Sequence, residues 1–310
     1  MNIKINHLTI EKLTQKLQAV EGGEKIACLI ALSSHYDACG DVKKAMNHAE
    51  NAFELAFSLR SSELTADCYM QIAAVYHSQM QYWLSEKSCR TALALYKEID
   101  HHRGQAKAYY FLGEVFWTRN KLKESWRCLR RAAKLFRSNA DEIGLGKCLD
   151  LLGKIKEHLK QPDQALGYFL EAYRLIKDWE RNIITVELMV RIGNVLMELK
   201  RFEESFVYHR DALALALKYN DRFLQNEANY GIGCSYLAFG EYQTALFWFD
   251  KTLKLSEEIA DRVIQKRAQT CFYHCRTKFE EAKSTDISQN NDEYFPIESE
   301  SNRISPLVCA

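Results

Sequence analysis

A period of 40 residues governs this chain. Small-centred segments recur at Leu32-Ser33, Ile72-Ala73, Leu112-Gly113, Leu152-Gly153, Ile192-Gly193 and Ile232-Gly233. Twelve residues past each centre stands a second small residue: Ala45, Ser85, Ser125, Ala165, Ser205 and Ala245. Seven further on lie Ala52, Ala92, Ala132, Ala172, Ala212 and Thr252. Tyr36, Tyr76, Phe116 and Tyr236 follow their centres by three, while Lys156 and Leu196 break that series. A fixed period of this length marks a stacked array, in which each unit buries its apolar face against its neighbours. Small residues at fixed points let two helix backbones approach closely, so each unit reads as two antiparallel helices. The turn within each pair falls at Gly40, Met80, Asn120, Lys160, Lys200 and Gly240, where a left-handed residue is expected.

These columns resemble the tetratricopeptide repeat (TPR) family over roughly residues 26 to 258. The spacing is similar to that of the subclass found in LGN and Pins polarity proteins, kinesin light chains, rapsyn and bacterial regulators. The resemblance implies an all-α, right-handed α-solenoid of six helix pairs, with capping helices at both ends. The expected organisation is an N-terminal cap in 1–25 and repeats over 26–65, 66–105, 106–145, 146–185, 186–225 and 226–259. A C-terminal capping helix over 260–283 and a disordered acidic tail over 284–310 complete it. Ile10, Leu13, Leu17 and Val20 give the first cap its apolar face, and Ile264, Ala268, Cys271, Phe272 and Cys275 the second.

Composition fits an ordered helical chain: three Pro and 13 Gly in 310 residues, with 47% hydrophobic and 27% charged. A formal net charge of +1 predicts no global attraction to nucleic acid or to a membrane surface. The absence of an apolar leader and of any run of about 18 apolar residues makes cytoplasmic residence the expectation. Cys28, Cys68 and Cys148 share one repeat column with Ala108, Leu188 and Ala228, so they read as small buried packing residues rather than disulfide halves.

Little in the sequence points to catalysis. Gly144-Leu145-Gly146-Lys147-Cys148 has the outline of a phosphate loop, but Asp141 stands where its first Gly belongs and Cys148 where Ser or Thr is required. Cys271, His274 and Cys275 share a helical face, but no second ligand cluster is visible for a metal. The expectation is a non-enzymatic protein with no cofactor and no metal. A hidden enzyme would have to use Cys234 or the Cys271 group.

Function is then expected on the concave groove lined by the first helix of each pair. At spacings of i, i+3, i+7 and i+10, Lys107, Tyr110, Glu114 and Trp117 share one face. Lys147, Asp150 and Lys154 occupy it in the next repeat, then Glu187, Arg191 and Asn194, and Tyr230 in the last; Met70 and His77 precede them. Aromatic anchors among charges of both signs suit a peptide segment of a partner protein. Tyr110 and Trp117 are equally suited to packing between repeats. The asparagine ladder and carboxylate clamp of peptide-binding relatives are not reproduced: the ladder column reads Ala31, Gln71, Phe111, Leu151, Arg191 and Gly231. A second candidate surface is the basic helix holding Arg119, Lys121, Lys123, Arg127, Arg130, Arg131, Lys134 and Arg137. Two functions follow: an adaptor that binds partner peptides in the groove, or a signalling regulator whose acidic tail occupies a binding surface until displaced.

Overall fold

The computed structural model describes residues 2–177 and 183–292. Fourteen α-helices and no strand occur among them: α1 (Asn2–Ala19), α2 (Gly22–Ala38), α3 (Val42–Ser58), α4 (Ser62–Ser78), α5 (Tyr82–Glu98), α6 (His102–Thr118), α7 (Leu122–Ser138), α8 (Glu142–His158), α9 (Pro162–Ile176), α10 (Ile183–Glu198), α11 (Phe202–Tyr219), α12 (Arg222–Ala238), α13 (Tyr242–Ile259) and α14 (Arg262–Asp292). The fold is an all-α repeat solenoid. It divides into two compact units, residues 1–200 and 201–310.

Left-handed residues set the helix lengths. Gly40, Met80, Asn120, Lys160, Lys200 and Gly240 all have positive φ, as their column predicted. So do Arg60, Asp100, Ala140, Asn220 and Ala260, which halve the period to 20 residues. At each corner the next residue turns its N–H back to the last turn of the finished helix: Asp41 to the Tyr36 carbonyl at 2.9 Å, His101 to Tyr96 at 2.8 Å, Asp261 to Ser256 at 2.9 Å. This six-to-one bond closes a Schellman motif. Where that residue is Asp or Ser it also caps the next helix. Ser61 accepts from the Leu64 N–H at 3.3 Å, Asp141 from Gly144 at 2.8 Å, and Asp221 from Leu224 at 3.0 Å. One residue therefore ends one helix and starts another. The pairs run from corner to corner, so the expected boundaries at 26, 66 and 106 fall inside first helices. The small column marks a helix's middle, whereas the left-handed residue marks its end.

Inside each pair the small columns are fully buried: Ala45, Ser85, Ser125 and Ala165, and Ala52, Ala92, Ala132 and Ala172 in the first unit, with Ser205, Ala245, Ala212 and Thr252 in the second. At the Gly centres a large side chain of the second helix lies on the backbone. A Cβ added at Gly113 would come within 2.7 Å of Leu129, at Gly153 within 2.5 Å of Phe169, and at Gly233 within 2.8 Å of Phe249. Buried hydroxyls bridge the pair elsewhere. Ser33 donates to the Ala45 carbonyl at 2.7 Å, Ser85 to Ala73 at 2.8 Å, and Ser125 to Gly113 at 2.7 Å. In these three pairs the buried hydroxyl thus has its partner across the helix interface.

The ends follow the same register. α1 covers α2, with Ile10 buried and Leu17 packed on the cluster of Ile26 and Leu29. α14 begins one period after α12, with Asp261 accepting from the Ile264 N–H at 3.1 Å, and buries Ile264, Ala268 and Cys275. It is a further first helix rather than a separately built cap. It continues to Asp292, so residues 284–292, expected in the tail, are helical. Residues 293–310, with the island Tyr294-Phe295-Pro296-Ile297, lie outside the described residues.

The contact at Gly153 gives a direct test. Gly153→Ala should destabilise the chain by about 1–3 kcal/mol through overpacking against Phe169. Gly167→Ala, on an exposed helical position with no atom within 4 Å of the new methyl, should stabilise it by about 0.5–1 kcal/mol. Urea unfolding monitored by circular dichroism reads both.

Candidate functional site

In the first unit the residues chosen from spacing lie on α4, α6, α8 and α10. On α6, the Tyr110 hydroxyl donates to Glu114 Oε1 at 2.8 Å, and both side chains are half-buried. Burial holds the Glu114 carboxyl above the ordinary glutamate range, against the opposing pull of the Tyr110 hydrogen bond and of Lys147 and Lys154. Burial likewise raises Tyr110, reinforced by the Glu114 charge. Trp117 meets His158 of α8 edge-on at 5.8 Å. His77 of α4 stands edge-on to Phe111 at 5.7 Å and to Tyr82 at 5.5 Å.

An ion network joins α8 to α10. Asp150, only 8% exposed, is held by Lys154 at 2.9 Å and by Arg191 at 3.0 Å. Arg191 also reaches Glu187 at 3.0 Å. Residues 41 apart meet here because α10 repeats α8 one period on, displaced by one position; His77 and Thr118, at 3.5 Å, show the same offset. Lys107 and Lys147 differ from these. Both are exposed, and neither forms an ion pair among the described residues.

Other predicted members have other surroundings. Met70 receives the Cys89 thiol of α5 at 3.7 Å, so its sulfur is engaged inside the α4–α5 pair. Asn194 is half-buried on α10. Tyr230, in the second unit, is covered by α14: its hydroxyl lies 3.4 Å from Cys271 Sγ and the Arg267 guanidinium 4.6 Å from its ring centre. Spacing alone places Tyr230 on the face; only the register of α14 tells that another helix lies on it.

The basic helix is α7, without Arg119, which ends α6 and pairs with Glu86, and with Lys121 only at its N-cap; it borders a cleft that sequence reasoning missed. A cavity of about 810 Å³ opens between α7 and α9, floored by Leu149 and Leu152 of α8 and walled by Trp126 and Tyr168. The two rings meet edge-on at 5.8 Å, and Lys156 stands 4.5 Å over Trp126. Arg127, Arg130 and Lys134 line it, exposed and without an ion pair among the described residues. Arg137 is tied to Glu171 at 3.0 Å. The clue was the placing of Trp126 among the cations. Among the described residues no group of His, Cys, Asp and Glu is arranged to hold a metal, and no helix is long and apolar enough to cross a membrane.

An all-α array of helix pairs with corners at a fixed step belongs to the class of helical repeat proteins. The chain is a tetratricopeptide repeat protein: a profile of that family matches residues 64–138 and 184–258. A search of curated protein sequences gave no significant match. Solved structures are similar at low identity. A signal transduction ATPase with numerous domains from Pyrococcus horikoshii, which carries a tetratricopeptide repeat sensor, aligns with TM-score 0.68 and 13% identity, over 87% of this chain and 44% of that one. The pilF protein of Pseudomonas aeruginosa aligns with TM-score 0.60 and 17% identity, over 80% and 97%. A Rap protein complexed with competence and sporulation factor aligns with TM-score 0.61 and 12% identity, over 87% and 80%. The repeat fold supports a protein-interaction or scaffold role, and the family is generally a non-enzymatic interaction module.

Two outcomes are expected of this face. Arg191→Ala should cost about 1–3 kcal/mol in urea unfolding, because Asp150 loses one of its two cations while buried. Loss of a ligand in that variant is therefore no proof of contact. Glu114 binds its proton more tightly folded than unfolded, so it detracts from stability as pH rises through its folded pKa, and that cost is absent below the unfolded value. Glu114→Gln should raise the urea midpoint at pH 7, with the gain vanishing in acid. An equal gain at all pH values would contradict the assignment.

Proposed function

We propose that the chain is a non-enzymatic adaptor whose first-helix face, in the unit of residues 1–200, binds a peptide segment of a partner protein. One observation carries the reading. Lys107 and Lys147 stand exposed and without an ion pair among the described residues, on the face expected to carry the half-buried Tyr110 and Trp117, while the neighbouring charges are already engaged with one another. A fixed floor with two spare cations suits a segment that brings an apolar or aromatic side chain and a carboxylate. His77 extends the face at lower polarity, and the Glu187–Arg191–Asp150–Lys154 network fixes its geometry rather than meeting the ligand.

A regulated sensor is the second reading. The cleft beside α7 favours it, since Arg127, Arg130 and Lys134 have no ion pair among the described residues. Asp286, Asp292, Glu293, Glu298 and Glu300 give the chain its own acidic segment. The sensor named for the Pyrococcus protein and the factor bound by the Rap protein support the signalling sense of this reading. They share only the fold with this chain.

Peptides selected from a random display library against the full chain separate the two surfaces. The groove reading expects acidic, aromatic-containing sequences whose affinity falls at least tenfold in Lys107→Glu/Lys147→Glu and is unchanged in Arg127→Glu/Arg130→Glu. The opposite pattern would move the working surface to the cleft. Removing residues 293–310 should leave the affinity unchanged for a plain adaptor and raise it for the regulated sensor.

A further inference from the structure

The second unit contains a thiol pair that the adaptor reading does not use. Cys234 of α12 and Cys271 of α14 are hydrogen-bonded through their side chains, and the Tyr230 hydroxyl lies 3.4 Å from Cys271 Sγ. All three are half-buried, packed on Phe249 and Cys275. Arg267 and His274, exposed on the same helix as Cys271, supply positive charge beside it.

The other cysteines behave differently. Cys28, Cys68, Cys89 and Cys148 are buried, and burial pushes the Cys68 thiol up to about 12. Cys271 moves the opposite way, down to about 6, because the Cys234 thiol donates to its sulfur, with further help from Tyr230 and from the charge of Arg267. Cys234, the donor, is correspondingly raised and keeps its proton. The pair thus holds one thiol that loses its proton more readily than an ordinary cysteine beside one that keeps it, the arrangement in which a nucleophilic sulfur has a resolving partner.

We propose that Cys234 and Cys271 form a hydroperoxide-oxidised dithiol whose disulfide ties α14 to α12. The Cys271 thiolate attacks the terminal oxygen of a hydroperoxide, the O–O bond breaks, and the departing oxygen takes a proton to leave as water or an alcohol. Cys271 is then a sulfenic acid. The Cys234 sulfur attacks it, the S–O bond breaks, and hydroxide leaves as water with the Cys234 proton. Two sulfurs lose two electrons in all, and one peroxide gains them. The two side chains already meet in one cluster, the starting point for an S–S bond of about 2.05 Å. A dithiol reductant reverses the reaction by exchange. The consequence falls on α14, the last first helix, which the disulfide fastens to the array. This inference is independent of where the chain binds partners.

The test uses the full chain. After hydrogen peroxide at pH 7 and alkylation of remaining thiols, peptide mapping should find residues 234 and 271 cross-linked in a product that runs as a monomer without reductant. Before oxidation, iodoacetamide should label Cys271 at least tenfold faster than the exposed Cys39. In Cys234→Ser the cross-link should vanish and dimedone should trap a sulfenic acid at Cys271. The oxidised wild-type chain should melt roughly 5 °C or more higher and return with dithiothreitol. Cys271 labelling no faster than Cys39, or peroxide products that join other cysteines or separate chains, would overturn the proposal.

Discussion

A large side chain lying directly on a helix backbone is the contact on which the rest of this structure depends. Leu129 sits on Gly113, Phe169 on Gly153 and Phe249 on Gly233, at distances that leave no room for a methyl. These contacts bring the two helices of a pair together, and the buried small residues twelve and nineteen on from each centre let them remain close. Because the pair is short and its own core narrow, apolar surface is left over on each side, and the next pair covers it. The Schellman corners then do the counting. Each fixes a helix end by a backbone bond and hands the chain directly to the next helix, so the 20-residue step is kept whether the corner residue is Gly, Met or Lys.

That repetition explains how an array of helix pairs holds polar side chains in place. First helices one period apart are offset by a single position, which brings Asp150 to Arg191, His77 to Thr118 and Tyr230 to Cys271. The pairs share one geometry and differ only in chemistry. An ion network forms where the column supplies opposite charges. Where it supplies an aromatic hydroxyl and a sulfur, with Cys234 close by, a thiolate is stabilised instead. On α6, a carboxyl buried under Tyr110 is raised because its nearby lysines do not fully offset its burial.

Much of this was legible in the sequence because small residues are informative where backbones touch. The pairing of helices, the left-handed residues at Met80 and Lys160 and the burial of Cys28, Cys68 and Cys148 follow from the columns alone. The corners at Arg60, Asp100, Ala140 and Ala260 did not declare themselves, since none carries the Gly or Asn that marks such a residue by type, and Asn220 was passed over because no other corner in its series resembles it. The helical continuation of α14 past Ser284 was hidden by a polar composition that suits an exposed helix as well as a tail. On the candidate face, spacing named the residues but not their partners. Met70 faces Cys89 and Tyr230 lies under α14 because neighbouring helices, not the helix's own periodicity, decide what a side chain meets. The cleft beside α7 is made by the gap between two second helices, so Trp126 among the cations hints at it but the helix's own periodicity does not.

If stacking in a fixed register is what holds the chain together, one whole period is removable. Deleting residues 121–160 joins corner Asn120 to Gln161 and sets α6 against α9, where Phe169 would meet Gly113 as it now meets Gly153. Circular dichroism with urea unfolding of this shortened chain is the most direct measurement. The account predicts unchanged helicity per residue and a cooperative transition, both lost when only residues 121–150 are removed. A shortened chain that is disordered or molten after the 121–160 deletion, or equal behaviour of the two deletions, would contradict it.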